Sequence, residues 1–309
     1  MQTIVKPRRI AVVGAGAVGS TTAYTLFLRE RATEIVLVDN NADKARGEAL
    51  DMQHGRPFAG GVKVWSGDYR DCQDADIVIV TAGVSQQPGE TRQALLARNA
   101  TIVQQIVQEV TRYNETGILL IATNPVDVLS YVAWRTSGWS TERVIGSGTV
   151  LDSARFRHLL GEHFTVDPRS VHAHVIGEHG DTEVPVWSTT NVAGVPVELP
   201  GMQKADISAK TRDAAYDIIM AKGYTSYAIA LALDRICAAI LHDEHAVLNV
   251  STLLSDYHGV SDVYMGVPCV VGRQGVERVV TLPLAEAEMR NFRHSAQTLA
   301  ARIRTVTSD

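Results

Sequence analysis

A chain of 309 residues is long enough for two domains, or for one large α/β unit with a substantial buried core. With 45% hydrophobic and 20% charged residues it has an ordinary globular composition. The net charge of −5 argues against a nucleic-acid binder, and no basic run marks a membrane surface. The three cysteines, Cys72, Cys237 and Cys269, are scattered, odd in number and in no metal or redox spacing, which fits a reduced compartment. Lys6-Pro7-Arg8-Arg9 followed by an apolar run mimics a signal peptide, but Gly14, Gly16 and Gly19 interrupt the run too early for an export signal. No stretch approaches the roughly 18 apolar residues of a membrane span. The expectation is a cytoplasmic protein.

Residues 10–13 (IAVV) form a compact β-branched run that predicts a buried strand. The run leads into Gly14-Ala15-Gly16-Ala17-Val18-Gly19 and a helical stretch to about residue 29, then a second apolar run at 35–38 ending in Asp39. A bare G-x-G-x-x-G is a weak signal. Here it opens a βαβ unit, with an acid 20 residues after its last glycine, which is the context a dinucleotide-binding fingerprint requires. The glycines let the backbone approach a pyrophosphate at a helix N-terminus, where unpaired N–H groups favour an anion. Asp39 would bind ribose hydroxyls and repel a 2′-phosphate, so NAD is expected over NADP.

The alternation continues with a helix over 44–54, a strand over 62–65, and a strand over 77–80 ending in Thr81-Ala82-Gly83. After a polar loop and a long helix, a strand over 118–121 ends in Thr123-Asn124-Pro125. Strands separated by helices predict a parallel sheet with right-handed crossovers. The Gly14 loop, Asp39, Gly83 and Asn124 all fall beyond the carboxyl ends of its strands, where such sheets bind ligands. From about residue 146 the rhythm changes to helix, strands, two helices and more strands, closing with a helix from about 284. The expected fold is therefore α/β, a Rossmann-type doubly wound parallel sheet (1–146) with a C-terminal α+β substrate-binding and catalytic domain (147–309). No linker-like run separates them, so the two should pack closely.

Three stretches carry candidate chemistry. Residues 82–92 (AGVSQQPGETR) are a glycine- and proline-containing loop, a reasonable lid, with Arg92 at its far end either swinging over a substrate or capping nothing. In 151–157 (LDSARFR), Asp152 and Arg155 share one helix face, while Arg157 looks away. That pair is either a weak intrahelical ion pair or a division of labour, with Arg155 gripping a carboxylate and Asp152 serving a histidine; spacing does not choose. In 175–181 (VIGEHGD), His179 stands between two glycines with acids on either side, as an imidazole at a cleft mouth would. Thr225, after Lys222-Gly223-Tyr224, reads equally well as a helix N-cap. His54, His158, His163, His245, His258 and His294 have no partner pattern. His242-Asp243-Glu244-His245 resembles a metal cluster but lacks ligands four apart on one face, and no metal is expected.

Taken together, GAGAVG with Asp39, AGVSQQPGETR, TNPVD, GSGTVLDSARFR, GEHGD and KGYT resemble the bacterial-type L-lactate dehydrogenases of the lactate/malate dehydrogenase family. The motifs run from residue 14 to 225 in the family's order, and their combination is highly specific; the last third adds fewer diagnostic residues. The resemblance implies His179 as general acid/base, Asp152 as the carboxylate that orients it, and Arg155 as anchor of the substrate carboxylate. It implies Arg92 as the arginine that polarises the C2 carbonyl, Asn124 bonding the same oxygen, and Thr225 bordering the substrate. Gly14, Gly16, Ala17, Val18, Gly19, Asp39, Lys44, Tyr69, Ala82, Gly83, Ala122, Thr123, Asn124 and Ser147 fall at cofactor positions, with Ile229 packing on the nicotinamide. Gln86 falls where the loop faces the substrate's variable group and where malate dehydrogenases have arginine. A neutral side chain gives no counter-charge to a second carboxylate, so pyruvate is preferred to oxaloacetate. Arg157 and His172 match positions that bind fructose 1,6-bisphosphate across a subunit interface, and a homotetramer with residues 49–54 at one interface is implied. An NAD-dependent glycoside hydrolase would share the dinucleotide fold but needs a metal site that this chain does not display.

Overall fold

The computed structural model describes residues 8–84 and 89–307. The first half alternates strand and helix as β1 (Arg9–Val13), α1 (Ala17–Leu28), β2 (Glu34–Val38), α2 (Ala42–His54), β3 (Lys63–Ser66), β4 (Ile77–Val80), α3 (Arg92–Thr111), β5 (Ile118–Ile121), α4 (Val126–Ser137) and β6 (Val144–Gly146). β4 and β5 are IVIV and ILLI, buried at every residue, as strands covered on both faces must be. These six strands pair in parallel in the order β3-β2-β1-β4-β5-β6, the doubly wound order of dinucleotide-binding sheets.

The second half comprises α5 (Val150–Phe164), five two-residue strands β7 (Val171–His172), β8 (Val175–Ile176), β9 (Val184–Pro185), β10 (Asn191–Val192) and β11 (Val195–Pro196), then α6 (Gly201–Lys222), α7 (Tyr227–Leu241), β12 (Ala246–Leu253), β13 (Tyr264–Gly272), β14 (Gly275–Val279) and α8 (Glu286–Thr307). β12 pairs antiparallel with β6 through Ser251 and Gly146, so the sheet runs on without a break to nine strands ending in β13 and β14. Helices flank it in two packed groups, α1 with α2 and α7, and α3 with α4 and α8. One hydrophobic core spans both halves, from Ile10 and Leu120 to Leu233, Val267 and Phe292. A smaller core under α5 and α6, built from Phe156, Leu160, Val175 and Ile207, belongs to the second half alone.

The halves thus share a sheet as well as a contact surface, which explains why no linker separates them. Several boundaries differ from the sequence expectation. α2 starts at Ala42 because the Asn41 side chain caps it by accepting from Lys44 N–H at 3.1 Å. β3 is displaced by one residue, and β6, only three residues long, gives too short a pattern to detect. Gly223, at φ 88°, ends α6, and the N-cap position of α7 falls at Ser226, whose side chain makes no capping hydrogen bond, not at Thr225.

Candidate active site

The three glycines of the β1–α1 loop do three different jobs. At Gly14, with φ +106°, a Cβ would lie 2.6 Å from the backbone nitrogen of Ala82, and at Gly19 it would lie 1.8 Å from the Gly14 carbonyl oxygen. Both are required by the packing of the loop on itself and on β4. At Gly16 nothing lies within 4 Å of that position. Gly16 is the N-cap of α1 and supplies no side-chain cap, leaving the helix's first N–H groups for an anion. Asp39, at the end of β2, accepts from Ala15 N–H at 2.6 Å and from Asn41 N–H at 2.8 Å, which fixes the acid beside the loop.

A cleft of about 780 Å³ opens here, and its lining includes Gly14, Gly16, Asp39, Lys44, Tyr69, Ala82 and Gly83. Val13, Val38, Ile102 and Ile106 give it apolar walls. An open glycine, an uncapped helix start and an acid at the next strand end suit a dinucleotide with free ribose hydroxyls. Of the other expected cofactor positions, Ala17 and Val18 start α1 and Gly19 packs beneath the loop. Ala122 and Thr123 follow β5, and the Thr123 hydroxyl donates to the Ala82 carbonyl at 2.8 Å. Ser147 is buried after β6, Asn124 is exposed ahead of α4, and Ile229 is half-buried on α7. None of these eight contributes to the lining of that cleft.

His179 is held by its backbone and its ring separately. The loop that carries it leaves β8 at Gly177, whose φ of +96° suits glycine and which pairs with Gly266 of β13. Glu178 N–H donates to Ser295 of α8 at 2.9 Å, and His179 N–H donates to Asp127 of α4 at 2.8 Å. Three successive residues are therefore tied to three elements. The ring Nδ1 meets Asp152 Oδ2 at 2.6 Å, and Asp152 Oδ1 accepts from Arg155 at 2.9 Å. The Asp152 side chain is 1% exposed, Arg155 14% and His179 23%, so the imidazole is the part of the cluster that solvent reaches most.

These contacts set the charges. The Asp152 carboxylate, together with its hydrogen bond, outweighs desolvation and raises the His179 imidazole from 6.5 to about 9. Burial alone would push Asp152 up, but the His179 charge and hydrogen bond, with Arg155 behind them, hold its carboxyl below the usual carboxylate range. The intrahelical pair of Asp152 and Arg155 forms, and the same carboxylate also meets the His179 ring. An imidazolium braced by a buried carboxylate is suited to giving up and regaining a proton.

Arg92 is the first residue of α3, not part of the preceding loop, and its guanidinium lies 3.4 Å from Asp181, two residues past His179. Asp181 also accepts from the Tyr216 hydroxyl at 3.0 Å. Of the two acids flanking the histidine, Asp181 is thus turned outward, whereas Glu178 is buried and paired with Arg302 of α8. Thr225 is half-buried between α6 and α7. Gln86 lies outside the described residues. Arg157 is half-buried on α5, its Nε has no hydrogen-bond partner among the described residues, and desolvation lowers its pKa. Arg157 and His172, which is exposed on β7, both lie near His174, whose imidazole is pushed down chiefly by burial, with Arg157 and His172 adding to it. The exposed Asp243, His245 and Glu277 come together at the β14 edge, Glu277 being a member that the sequence cluster lacked.

Two carboxylates at the site carry no sequence expectation. Asp127, 1% exposed, sits within the TNPVD motif, and its signal is an acid inside the apolar start of α4. Glu183 has a buried carboxyl oxygen without a partner among the described residues, and burial with the nearby Asp152 charge raises its pKa.

Two family models cover the chain: the lactate/malate dehydrogenase NAD-binding domain matches residues 8–146, and the α/β C-terminal domain of the same family matches residues 149–309. The L-lactate dehydrogenase of Acetivibrio thermocellus is 48% identical over 97% of each chain, and that of Geobacillus thermodenitrificans 50% identical over 94% of this chain and 95% of its own. A ligand-bound crystal structure of the minor L-lactate dehydrogenase of Enterococcus mundtii superposes with a TM-score of 0.96 at 44% identity, covering 98% of this chain and 99% of that one.

Proposed function

The chain belongs to the lactate/malate dehydrogenase family and is an NAD-dependent oxidoreductase, and on that premise we propose that it interconverts pyruvate and L-lactate in fermentative glycolysis. The observation that carries this reading is the buried Asp152 carboxylate bonded at once to His179 and to Arg155. When bound, NADH would supply the hydride for the C2 carbonyl carbon. His179, protonated, gives its proton to the carbonyl oxygen, and Asp152 stabilises the imidazolium until it does. In the reverse direction neutral His179 takes the hydroxyl proton. Arg155 anchors the substrate carboxylate through charge-assisted hydrogen bonds, Arg92 and Asn124 stabilise the developing alkoxide, and Thr225 borders the substrate. Gly14, Gly16 and Asp39 hold the cofactor, Gly19 lets the loop that carries them pack tightly, and Ile229 lies against the nicotinamide.

Gln86 selects the substrate, because a second carboxylate opposite an uncharged side chain would be desolvated without a counter-ion, at a cost of several kcal/mol. Arg157 and His172 form half of a bisphosphate site completed by a second copy. What supports this is a half-buried guanidinium whose Nε lacks a partner among the described residues, with two imidazoles nearby. The assembly is a cytoplasmic homotetramer. Exposed Leu50, within the 49–54 segment, supports that interface; among the described residues, no helix is long and apolar enough to cross a membrane. The functional division falls at Ser147, with residues 1–146 for the cofactor and 147–309 for the substrate. NADH oxidation with pyruvate and with oxaloacetate, each with and without fructose 1,6-bisphosphate, tests the whole reading. Faster turnover of oxaloacetate overturns the substrate assignment, and a substrate dependence unmoved by the bisphosphate overturns the effector site.

A further inference from the structure

Asp127 is a buried carboxylate with no cationic side chain bound to it among the described residues, an arrangement that costs stability unless both oxygens are satisfied. Both are. Oδ2 accepts from His179 N–H at 2.8 Å, and Oδ1 accepts from the Ser251 hydroxyl at 2.6 Å. Ser251 lies on β12 opposite Gly146 of β6, at the one place where the parallel and antiparallel parts of the sheet join. Asp127 itself lies in the first turn of α4. A carboxylate that anchors the peptide of the proton-transfer residue to this seam does more than end a helix.

We propose that Asp127 is a second carboxylate for His179, a positioning residue that fixes the histidine's peptide from behind while its charge supports the imidazolium that Asp152 supports from the ring side. The two acids have separable roles. Asp152 touches Nδ1 and sets the ring's orientation, whereas Asp127 touches only the backbone and acts on the ring through space. Burial raises the Asp127 carboxyl to about 6, against the opposing bonds from Ser251 and His179, so it is charged at neutral pH. The other ionisable groups facing this pair are Asp152 and Arg155 on α5, and Glu178 and Glu183 in the segment around the histidine. Placing a negative charge there favours the acid form of His179 across the range in which it must donate a proton.

The inference rests on His179 being the proton donor, so its test has one arm that does not need the substrate. In Asp127→Asn the side-chain oxygen still accepts from His179 N–H and the amide can donate to Ser251, so the shape is kept and the charge removed. The His179 ring is titrated by NMR in wild type and D127N, with and without NADH, and pyruvate reduction is followed over the same pH range. The expected result is a His179 midpoint lower by about one pH unit. Reduction then falls about fivefold near pH 9 but less than about twofold at pH 7, with the KM for NADH unchanged. A merely structural role would lower the rate equally at all pH values, and that profile, or an unmoved midpoint, overturns the proposal. Should D127N not fold, the wild-type His179 amide decides: it is expected to follow a titration near pH 6, and its absence counts against the proposal. Failure of wild type to reduce pyruvate, with the titrations as expected, would refute the substrate reading and leave Asp127's role standing.

Discussion

The cofactor cleft and the proton-transfer site are built in opposite ways. Around the cleft, the contact that fixes Asp39 spans 24 residues and lies within one βαβ unit. Its chemistry comes from backbone N–H groups and one carboxylate, with room made by the side chains that glycine lacks. Around His179 the contacts span 27 residues to Asp152, 52 to Asp127 and, one residue earlier, 117 to Ser295. That chemistry comes from charges buried beside one another, each tolerable only because the others are there. A site of the first kind fails through sterics, and one of the second kind through electrostatics.

The largest expected effect comes from the second region. His179→Asn should lower the rate of pyruvate reduction by about 10³-fold while NADH binding stays within about twofold, measured by stopped-flow and fluorescence titration. A comparable loss of NADH affinity would show that the regions are not separable. Next come the glycines, which set the steric character of the first region against itself. Gly19→Ala forces a Cβ against the Gly14 carbonyl and should lower Tm by several degrees. Gly16→Ala meets open space, so Tm should hold within about two degrees while the Kd for NADH rises about tenfold. Equal behaviour of the two variants would sink the assignment of Gly16 to the ligand face. The smallest effect is expected for Asp181→Asn. It breaks the 3.4 Å pair with Arg92, whose side chain is 78% exposed, and should change unfolding free energy by less than about 0.5 kcal/mol.

The same contrast decides what was legible in the sequence. The parallel half of the sheet was readable from IAVV, IVIV and ILLI, because strands buried on both faces must be apolar throughout, and the glycine fingerprint with Asp39 is local. The joining of β12 to β6 was not, since a single pairing of Ser251 with Gly146 leaves no periodic trace. His179, Asp152, Arg155 and Arg92 were marked by motif, and the structure brings the first three into one cluster and sets Arg92 at Asp181. Asp127 stood in plain view within TNPVD without a role, because its partners are a backbone N–H and a serine, neither of which a sequence advertises. Glu183 gave no signal at all, as its meaning depends on burial.

The claim that buried charge governs His179 is tested most directly by the pH dependence of pyruvate reduction in wild type and Asp152→Asn. With its imidazole raised from 6.5 to about 9, His179 contributes stability that is fully present below about 6.5 and is lost as pH rises through about 9, and proton donation is lost over the same upper limb. The wild-type rate should therefore hold up to about pH 8 and fall through about 9, and in D152N the fall should come at least one pH unit lower. A wild-type rate that already falls near 6.5, or a profile that D152N does not move, would contradict it.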